Sequence, residues 1–165
     1  MLHRPRIDLL QAMPIFGALR DDTLEFLLAL MHEVRVAAGG WFFREGDAAS
    51  GLFVLEKGTA SVVKGWAGHE VLLRQLQAGD CFGEMALMDL QPRSASVRAD
   101  ADCLAIALGA DDLLRLWEHD LEQFTLIQMN MGREVSRRLR EADDELFRLR
   151  QAGAAPPHVA AGYSP

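Results

Sequence analysis

One segment decides the fold of this chain: Phe82-Gly83-Glu84-Met85-Ala86-Leu87-Met88-Asp89-Leu90-Gln91-Pro92-Arg93-Ser94-Ala95-Ser96-Val97. Gly83 has no Cβ, so the backbone can approach a ligand closely at that position. The carboxylate of Glu84 can accept hydrogen bonds from sugar hydroxyls. Arg93 offers a planar guanidinium that matches phosphate oxygens in a bidentate way. A polyol acceptor and an anion clamp within one segment predict a sugar phosphate as the ligand.

Four neighbours of these two charged residues can complete an anion site. Met85 and Ala86 begin a stretch that can form one helical turn, whose free N–H groups attract an anion. Ser94 adds a hydroxyl donor, and Ala95 leaves its backbone N–H uncovered by a bulky side chain. The alternative is a surface ion pair between the carboxylate and the guanidinium, which would contribute little free energy. The whole string favours the binding site, because each residue in it suits the same ligand.

The string FGEMAL followed by PRSASV resembles the phosphate-binding cassette of the cyclic nucleotide-binding domain family. That family includes bacterial catabolite activator proteins, regulatory subunits of cyclic-AMP-dependent kinase and gating domains of nucleotide-gated channels. The resemblance implies that Glu84 binds the ribose 2′-hydroxyl and that Arg93 binds the cyclic phosphate, assisted by Ser94 and by the backbone N–H groups of Ala86 and Ala95. The ligand-binding residues implied for this cassette are Gly83, Glu84, Met85, Ala86, Arg93, Ser94 and Ala95.

Around the cassette, short β-prone runs are separated by glycine at fairly regular intervals. The predicted strands are 34–37, 41–44, 52–55, 59–64, 70–76, 95–99 and 103–108. Strands at this spacing predict an antiparallel barrel or jelly roll, and the glycine–aspartate turns resemble those of the family's barrel. The fold class is therefore mainly β with flanking helices: an antiparallel jelly-roll (double-stranded β-helix) barrel, short N-terminal helices and a long C-terminal helix.

Three residues outside the cassette join the predicted site through the resemblance alone. Val62 and Leu73 would form the apolar wall beside the ribose and base, although ordinary core packing explains both equally well. Arg138, on the last helix, would lie near the ligand by analogy. On that helix catabolite activators carry hydroxyl residues that read adenine, whereas this sequence has Ala142, which cannot hydrogen-bond a base. The base therefore stays open between adenine and guanine, and the hydroxyl of Ser94 is compatible with a guanine amino group.

A long helix is predicted over residues 121–150, after a short one that starts at 110. Its apolar residues recur at the spacing of a two-stranded coiled-coil seam, namely Met131, Val135, Leu139, Ala142, Leu146 and Leu149. We expect the first half to pack on the barrel and the second half on a partner, giving a homodimer through helix 121–150. The alternative is a monomer whose helix folds back on the barrel.

The predicted organisation is one cyclic nucleotide-binding domain, residues 1–151, followed by a flexible tail, residues 152–165. Within the domain, the barrel covers about 33–108 and the C-terminal helices about 110–150. No helix-turn-helix is expected after the long helix, because too few residues follow it.

The length, charge and residue types of the chain argue against several other classes of function. The 165 residues suit one globular domain, and the net charge of −7 argues against direct DNA binding, which needs a basic face. Apolar runs are too short to cross a bilayer. Cys81 and Cys103 fit reduced core thiols in a cytoplasmic protein. Neither a catalytic motif nor a metal-binding pattern stands in a suitable context, so a non-enzymatic protein without a metal is expected.

Together these features predict a stand-alone cyclic nucleotide sensor. Its ligand would be cAMP, with cGMP as the alternative, and it would relay binding through its C-terminal helix to a separate, unidentified effector protein. A second reading keeps the fold and makes the chain a dimeric interaction module that binds no nucleotide or holds haem. His69 and Cys81 are the nearest candidate haem ligands, and each fits an ordinary surface or core position better.

Overall fold

A computed structural model describes residues 4–153 of the chain. The helices are α1 (Arg4–Gln11), a 3₁₀ helix (Pro14–Phe16), α2 (Asp21–Leu30), α3 (Met85–Asp89), α4 (Ala110–His119) and α5 (Leu121–Gly153). The strands are β1 (His32–Val36), β2 (Trp41–Phe43), β3 (Gly51–Lys57), β4 (Thr59–Trp66), β5 (His69–Gln77), β6 (Cys81–Phe82), β7 (Ser96–Ala99) and β8 (Cys103–Gly109). The predicted tail overlaps the end of α5 at residues 152 and 153, and its remainder lies outside the described residues.

The strands form two four-stranded sheets, one with the order β1-β8-β3-β6 and the other with the order β2-β7-β4-β5. Every pairing is antiparallel, and strands next to each other in a sheet are mostly distant in sequence. The predicted class, a mainly β jelly-roll barrel with flanking helices and a long C-terminal helix, is confirmed.

The barrel interior is filled by the inward faces of both sheets. Leu55, Ala60, Val97 and Ala105 are buried there, and four phenylalanine rings meet at the end near the cassette. Their centroids lie 5.1–6.1 Å apart, within the range at which aromatic rings attract one another. These rings are Phe42, Phe43, Phe53 and Phe82. The aromatic cluster fills the end of the barrel next to the cassette, where Phe43 and Phe53 lie beside Arg93.

A second apolar cluster joins the helices to the outer face of the sheet that contains β3 and β8. The first half of α5 lies mainly against the 3₁₀ helix, α4 and α3, with Ile127 and Met131 buried. Asn130 fixes this arrangement, because its amide donates to the backbone oxygens of Ile15 (3.2 Å) and Gly17 (2.8 Å). From residue 139 to residue 151 every side chain of α5 is exposed.

Two features of the barrel differ from the predicted strand pattern. The cassette begins with β6, a strand of two residues that pairs with β3 and is too short to leave a periodic signal in the sequence. The hairpin formed by β4 and β5 carries a register shift between Val62 and Val63.

Among residues 4–153, no helix has both the length and the apolar character needed to cross a membrane.

Candidate ligand-binding site

The cassette leaves the barrel at Gly83, directly after β6. The backbone of Gly83 has φ +82°, a conformation that side chains other than glycine rarely adopt. A Cβ at this position would lie 2.6 Å from Nη1 of Arg93. Glycine is therefore required here both for the turn into α3 and for the space that the arginine head group occupies.

Arg93 is buried, with 5% of its surface exposed. Its Nη1 donates to the backbone oxygen of Gly83 at 2.9 Å, and its Nη2 donates to that of Gly51 at 2.8 Å. The guanidinium lies 4.0 Å above the ring centroid of Phe43, a cation–π contact. Burial lowers the pKa of Arg93, an effect opposed by the nearby carboxylate of Glu84. Among the described residues, no carboxylate forms a hydrogen bond with this buried cation, so it can attract an anion.

Glu84, with 1% of its surface exposed, is buried more deeply still. Its Oε1 accepts a hydrogen bond from Nη1 of Arg138 on α5. The same arginine donates through Nε to Glu134 at 3.0 Å and through Nη2 to the backbone oxygen of Cys81 at 3.1 Å. Arg138 thus ties the cassette and β6 to the C-terminal helix.

Two polar atoms of these side chains have no partner. Oε2 of Glu84 and Nε of Arg93 are fully buried, and no hydrogen bond reaches either of them within residues 4–153. A buried polar group without a partner costs about 1–3 kcal/mol, and such groups are rare in native proteins. Both residues line one cavity of about 160 Å³. The two residues that carry this unpaired acceptor and this unpaired donor therefore border the same cavity.

Most of the residues predicted from the sequence meet at this cavity. Eight of them line it: Val62, Gly83, Glu84, Met85, Arg93, Ser94, Ala95 and Arg138. Ala86 lies in the first turn of α3, where helix N–H groups lack intrahelical partners. The structure does not bring Leu73 to the cavity: it is not among the lining residues and is 56% exposed.

The register shift in the hairpin explains the position of Leu73. Val62 pairs with Arg74, whereas Val63 pairs with Leu72, which leaves Leu73 as the extra residue of the bulge. A bulge changes which residues of a strand share a face. Arg74 and Leu76 consequently line the cavity beside Val62, and regular alternation from the sequence would not have identified them.

Other lining residues were also missed by the sequence analysis. The cavity is completed by Phe43, Arg74, Leu76, Phe82, Asp89, Pro92 and Val97. Asp89 and Pro92 belong to the cassette string itself, so their position in the loop was a usable signal. Phe82 and Val97 are the two ends of that string, whereas Phe43 comes from β2, which only the folded barrel brings to the cassette.

The candidate haem ligands lie elsewhere. His69 is exposed at the start of β5, and neither it nor Cys81 lines the cavity. Burial raises the pKa of the Cys81 thiol, which keeps it protonated and a poor metal ligand at neutral pH. Within residues 4–153, no group of three or more histidine, cysteine or acidic side chains could hold a metal ion.

Comparison with known proteins agrees with this geometry. The family model described as "Cyclic nucleotide-binding domain" matches residues 33–120, more than half of the chain. The chain belongs to the cyclic nucleotide-binding domain family. The matched range contains the whole cassette and every strand except the first residue of β1, His32, and it ends where α5 begins.

Three known proteins are similar to this cyclic nucleotide-binding domain in sequence or in structure. It is 32% identical over 134 residues to the cyclic AMP receptor protein of Thermus thermophilus, covering 81% of this chain and 60% of the relative. It is 32% identical to the cAMP-dependent protein kinase regulatory subunit of Emericella nidulans, covering 65% of this chain and 26% of the relative. The crystal structure of the N-terminal domain of a transcriptional regulator from Streptomyces coelicolor superposes with a TM-score of 0.70 at 32% identity, covering 84% of this chain and 94% of that one. The chain thus spans less than two thirds of the length of either curated relative.

Proposed function

We propose that the chain is a sensor that binds a 3′,5′-cyclic purine nucleotide in the cavity between the cassette and α5. The observation that carries this proposal is the pair of buried, unpartnered atoms, Oε2 of Glu84 and Nε of Arg93, at one cavity. A ribose hydroxyl would donate to the first, and a phosphate oxygen would accept from the second. Both atoms are buried in this structure, so each side chain would turn slightly to meet the ligand.

The phosphate end of the ligand would lie in the cassette. Arg93 supplies the charge, and the hydroxyl of Ser94 with the backbone N–H groups of Ala86 and Ala95 would complete the anion site. Burial strengthens such contacts, because the effective dielectric constant is lower than in water. Val62 and Val97 would contact the apolar edges of the ribose and base from the sheet.

Binding would be relayed through Arg138. Oε1 of Glu84 already accepts from this arginine, so a ribose hydroxyl at Oε2 would act on the same carboxylate. A ligand that fixes Glu84 would also fix Arg138 and, through it, the middle of α5. The exposed second half of α5 would pass the change to a second copy of the chain or to an effector protein.

The names of the relatives favour cAMP as the ligand, with cGMP as the alternative. They also favour a regulatory rather than a catalytic role. Direct DNA contact is not expected for a chain of net charge −7. Homodimerisation and a separate effector protein belong to the same proposal.

Calorimetric titration of the purified chain with cAMP and with cGMP tests the proposal. Arg93→Ala should weaken binding of the tighter-binding nucleotide by about tenfold to a hundredfold or more, because a charge-assisted hydrogen bond contributes about 1.5–3 kcal/mol. The affinity of Arg93→Lys should lie between those of wild type and Arg93→Ala, since lysine keeps the charge and loses the planar guanidinium. Arg98→Ala is the matched control, because Arg98 is on the neighbouring strand β7 and does not line the cavity.

Circular dichroism and thermal melting show whether each variant is folded, since Arg93 also binds two backbone oxygens. The proposal fails if the wild-type chain binds neither nucleotide at about 1 mM, equivalent to about −4 kcal/mol. It also fails if a folded Arg93→Ala variant binds as tightly as wild type.

A further inference from the structure

The turn that follows β2 lies against the cassette, and an aspartate side chain closes it. Gly46 has φ +85° in this turn. Oδ2 of Asp47 accepts a hydrogen bond from the backbone N–H of Arg44 at 2.8 Å, and the backbone N–H of Asp47 donates to the oxygen of Arg44 at 3.1 Å. Aspartate side chains stabilise turns by such bonds to the backbone. The carboxylate of Asp47 therefore holds residues 44–47 in one backbone conformation.

The closed turn binds both backbone groups of Arg93. The N–H of Gly46 donates to the oxygen of Arg93 at 2.8 Å, and the N–H of Arg93 donates to the oxygen of Asp47 at 2.9 Å. Three residues further along the cassette, the hydroxyl of Ser96 accepts a hydrogen bond from the N–H of Glu45 at 2.8 Å. The turn thus fixes the segment that carries three of the residues proposed for the anion site, namely Arg93, Ser94 and Ala95.

The same turn occurs a second time, where it binds a core residue instead. Gly79 has φ +95°, and Oδ2 of Asp80 accepts from the backbone N–H of Gln77 at 2.9 Å. The N–H of Gly79 donates to the oxygen of Leu55 at 2.8 Å, and the N–H of Leu55 donates to the oxygen of Asp80 at 2.9 Å. Leu55 is fully buried in the barrel, whereas Arg93 lines the cavity. One kind of turn therefore fixes a core side chain in one place and a ligand-binding side chain in the other.

Resting on the function proposed above, we infer that Asp47 is a positioning residue, which acts on nucleotide binding through Arg93 and touches no ligand itself. Asp47 is exposed and does not line the cavity. Its carboxylate keeps the turn closed, and the closed turn keeps the backbone of Arg93 where the guanidinium reaches the oxygens of Gly83 and Gly51. A binding group on a fixed backbone loses less conformational freedom when the ligand arrives. Loosening the turn should therefore weaken binding although every lining residue is kept.

Calorimetric titration of the full chain with cAMP and cGMP gives the first test. Asp47→Ala should weaken binding of the tighter-binding nucleotide by about threefold to tenfold, the loss expected for one hydrogen bond. Asp47→Asn should bind within about twofold of wild type, because the asparagine oxygen can accept the same N–H. Asp102→Ala is the matched control and should bind as wild type does: Asp102 is also exposed, and its Oδ1 accepts the N–H of Ala38 at 2.9 Å, but it does not line the cavity.

The outcomes of this titration separate the two proposals. Wild-type affinity in Asp47→Ala overturns the inference and leaves the proposed function standing. Equal weakening in Asp47→Asn or in Asp102→Ala also overturns it, because the effect would then come from lost charge or from a general loosening of the barrel. A wild-type chain that binds neither nucleotide removes both proposals.

A double-mutant cycle with Arg93→Ala shows whether Asp47 acts through the arginine. Once the guanidinium is absent, Asp47→Ala should weaken binding further by less than about twofold, and an undiminished loss in that background would contradict the inference. Should a variant unfold or bind too weakly to titrate, hydrogen exchange of the Arg93 backbone amide in the ligand-free wild-type chain decides. Nuclear magnetic resonance should show that amide exchanging at least about a hundredfold more slowly than in an unstructured chain, and an unprotected amide would overturn the inference.

Discussion

At the scale of single residues, the site depends on one glycine that makes room for one arginine. Gly83 has a positive φ, and a methyl group there would come within 2.6 Å of Nη1 of Arg93. The arginine head group is the end of a flexible side chain, so it can move aside. The site would then lose its geometry while the barrel keeps its fold.

We therefore expect Gly83→Ala to affect binding more than stability. Displacing Arg93 should weaken cyclic nucleotide binding by about tenfold or more, because a charge-assisted hydrogen bond is lost. The backbone strain should lower the free energy of unfolding by about 1–2 kcal/mol, since alanine is forced into the left-handed region. Calorimetric titration and urea unfolding measure the two effects separately.

Gly68→Ala supplies the control for this comparison. Gly68 has φ +81°, close to the +82° of Gly83, but its added Cβ would meet no atom within 4 Å. It should show a similar loss of stability and bind the nucleotide as wild type does. If Gly83→Ala and Gly68→Ala had the same affinity, Arg93 would not depend on the space left by Gly83.

The types of the cassette residues were enough to predict the two ends of the site. Glu84 and Arg93 are a carboxylate and a guanidinium in one loop, and their chemistry does not depend on the register of any strand. Leu73 and Arg74 show where such reasoning ends. Regular alternation cannot say which of two successive residues faces a cavity when one bulge shifts the strand. The bulge opposite Val62 and Val63 depends on how β4 and β5 pair, and no single residue type in the sequence predicts it.

At the scale of elements, α5 is the helix that we propose to respond to the ligand. Its existence could be predicted from periodicity, because a helix of 33 residues repeats its apolar positions many times. Strand β6, with two residues, could not be predicted in the same way. The family resemblance placed Arg138 near the ligand, but its contact with Glu84 was not predicted, since contacts between residues 54 positions apart leave no local pattern.

Arg138→Gln should uncouple α5 from the ligand. In the wild-type chain, nucleotide binding should slow hydrogen exchange of backbone amides in residues 134–145, because Glu84 and Arg138 become fixed together. With nucleotide bound, the amides of the variant should exchange at least about tenfold faster than those of wild type, the change expected for the loss of one charge-assisted contact. Hydrogen–deuterium exchange read by mass spectrometry, with and without nucleotide, gives the measurement.

Arg137→Gln is the control for this experiment. Arg137 is the neighbouring residue on α5 and also pairs with Glu134, through Nη2 at 2.6 Å, but it makes no contact with Glu84 among the described residues. It should therefore keep the ligand-dependent protection. Equal protection in wild type and in a folded Arg138→Gln variant that still binds nucleotide would exclude this relay.

At the scale of the whole molecule, the second half of α5 exposes an apolar stripe, which we propose that a partner covers. Three leucines of the predicted seam, Leu139, Leu146 and Leu149, have 61%, 47% and 65% of their surface exposed. An apolar stripe of this kind on a helix that projects from its domain typically packs against another helix. The spacing of the stripe is that of a two-stranded coiled coil, which favours a second copy of the same chain.

Replacing two seam leucines should therefore dissociate the protein. Sedimentation equilibrium of the wild-type chain should give a dimer, and Leu139→Glu with Leu146→Glu should give a monomer, because four like charges would face one another in the seam. Leu114→Glu, at a similarly exposed leucine on α4, should leave the dimer intact. Nucleotide affinity of the monomeric variant should stay within about threefold of wild type, since neither Leu139 nor Leu146 lines the cavity. A dimer whose dissociation constant is below about 10 μM, or about −7 kcal/mol, would be mostly associated at about 100 μM. A wild-type chain that sediments as a monomer at that concentration would therefore mean that α5 packs against a different protein.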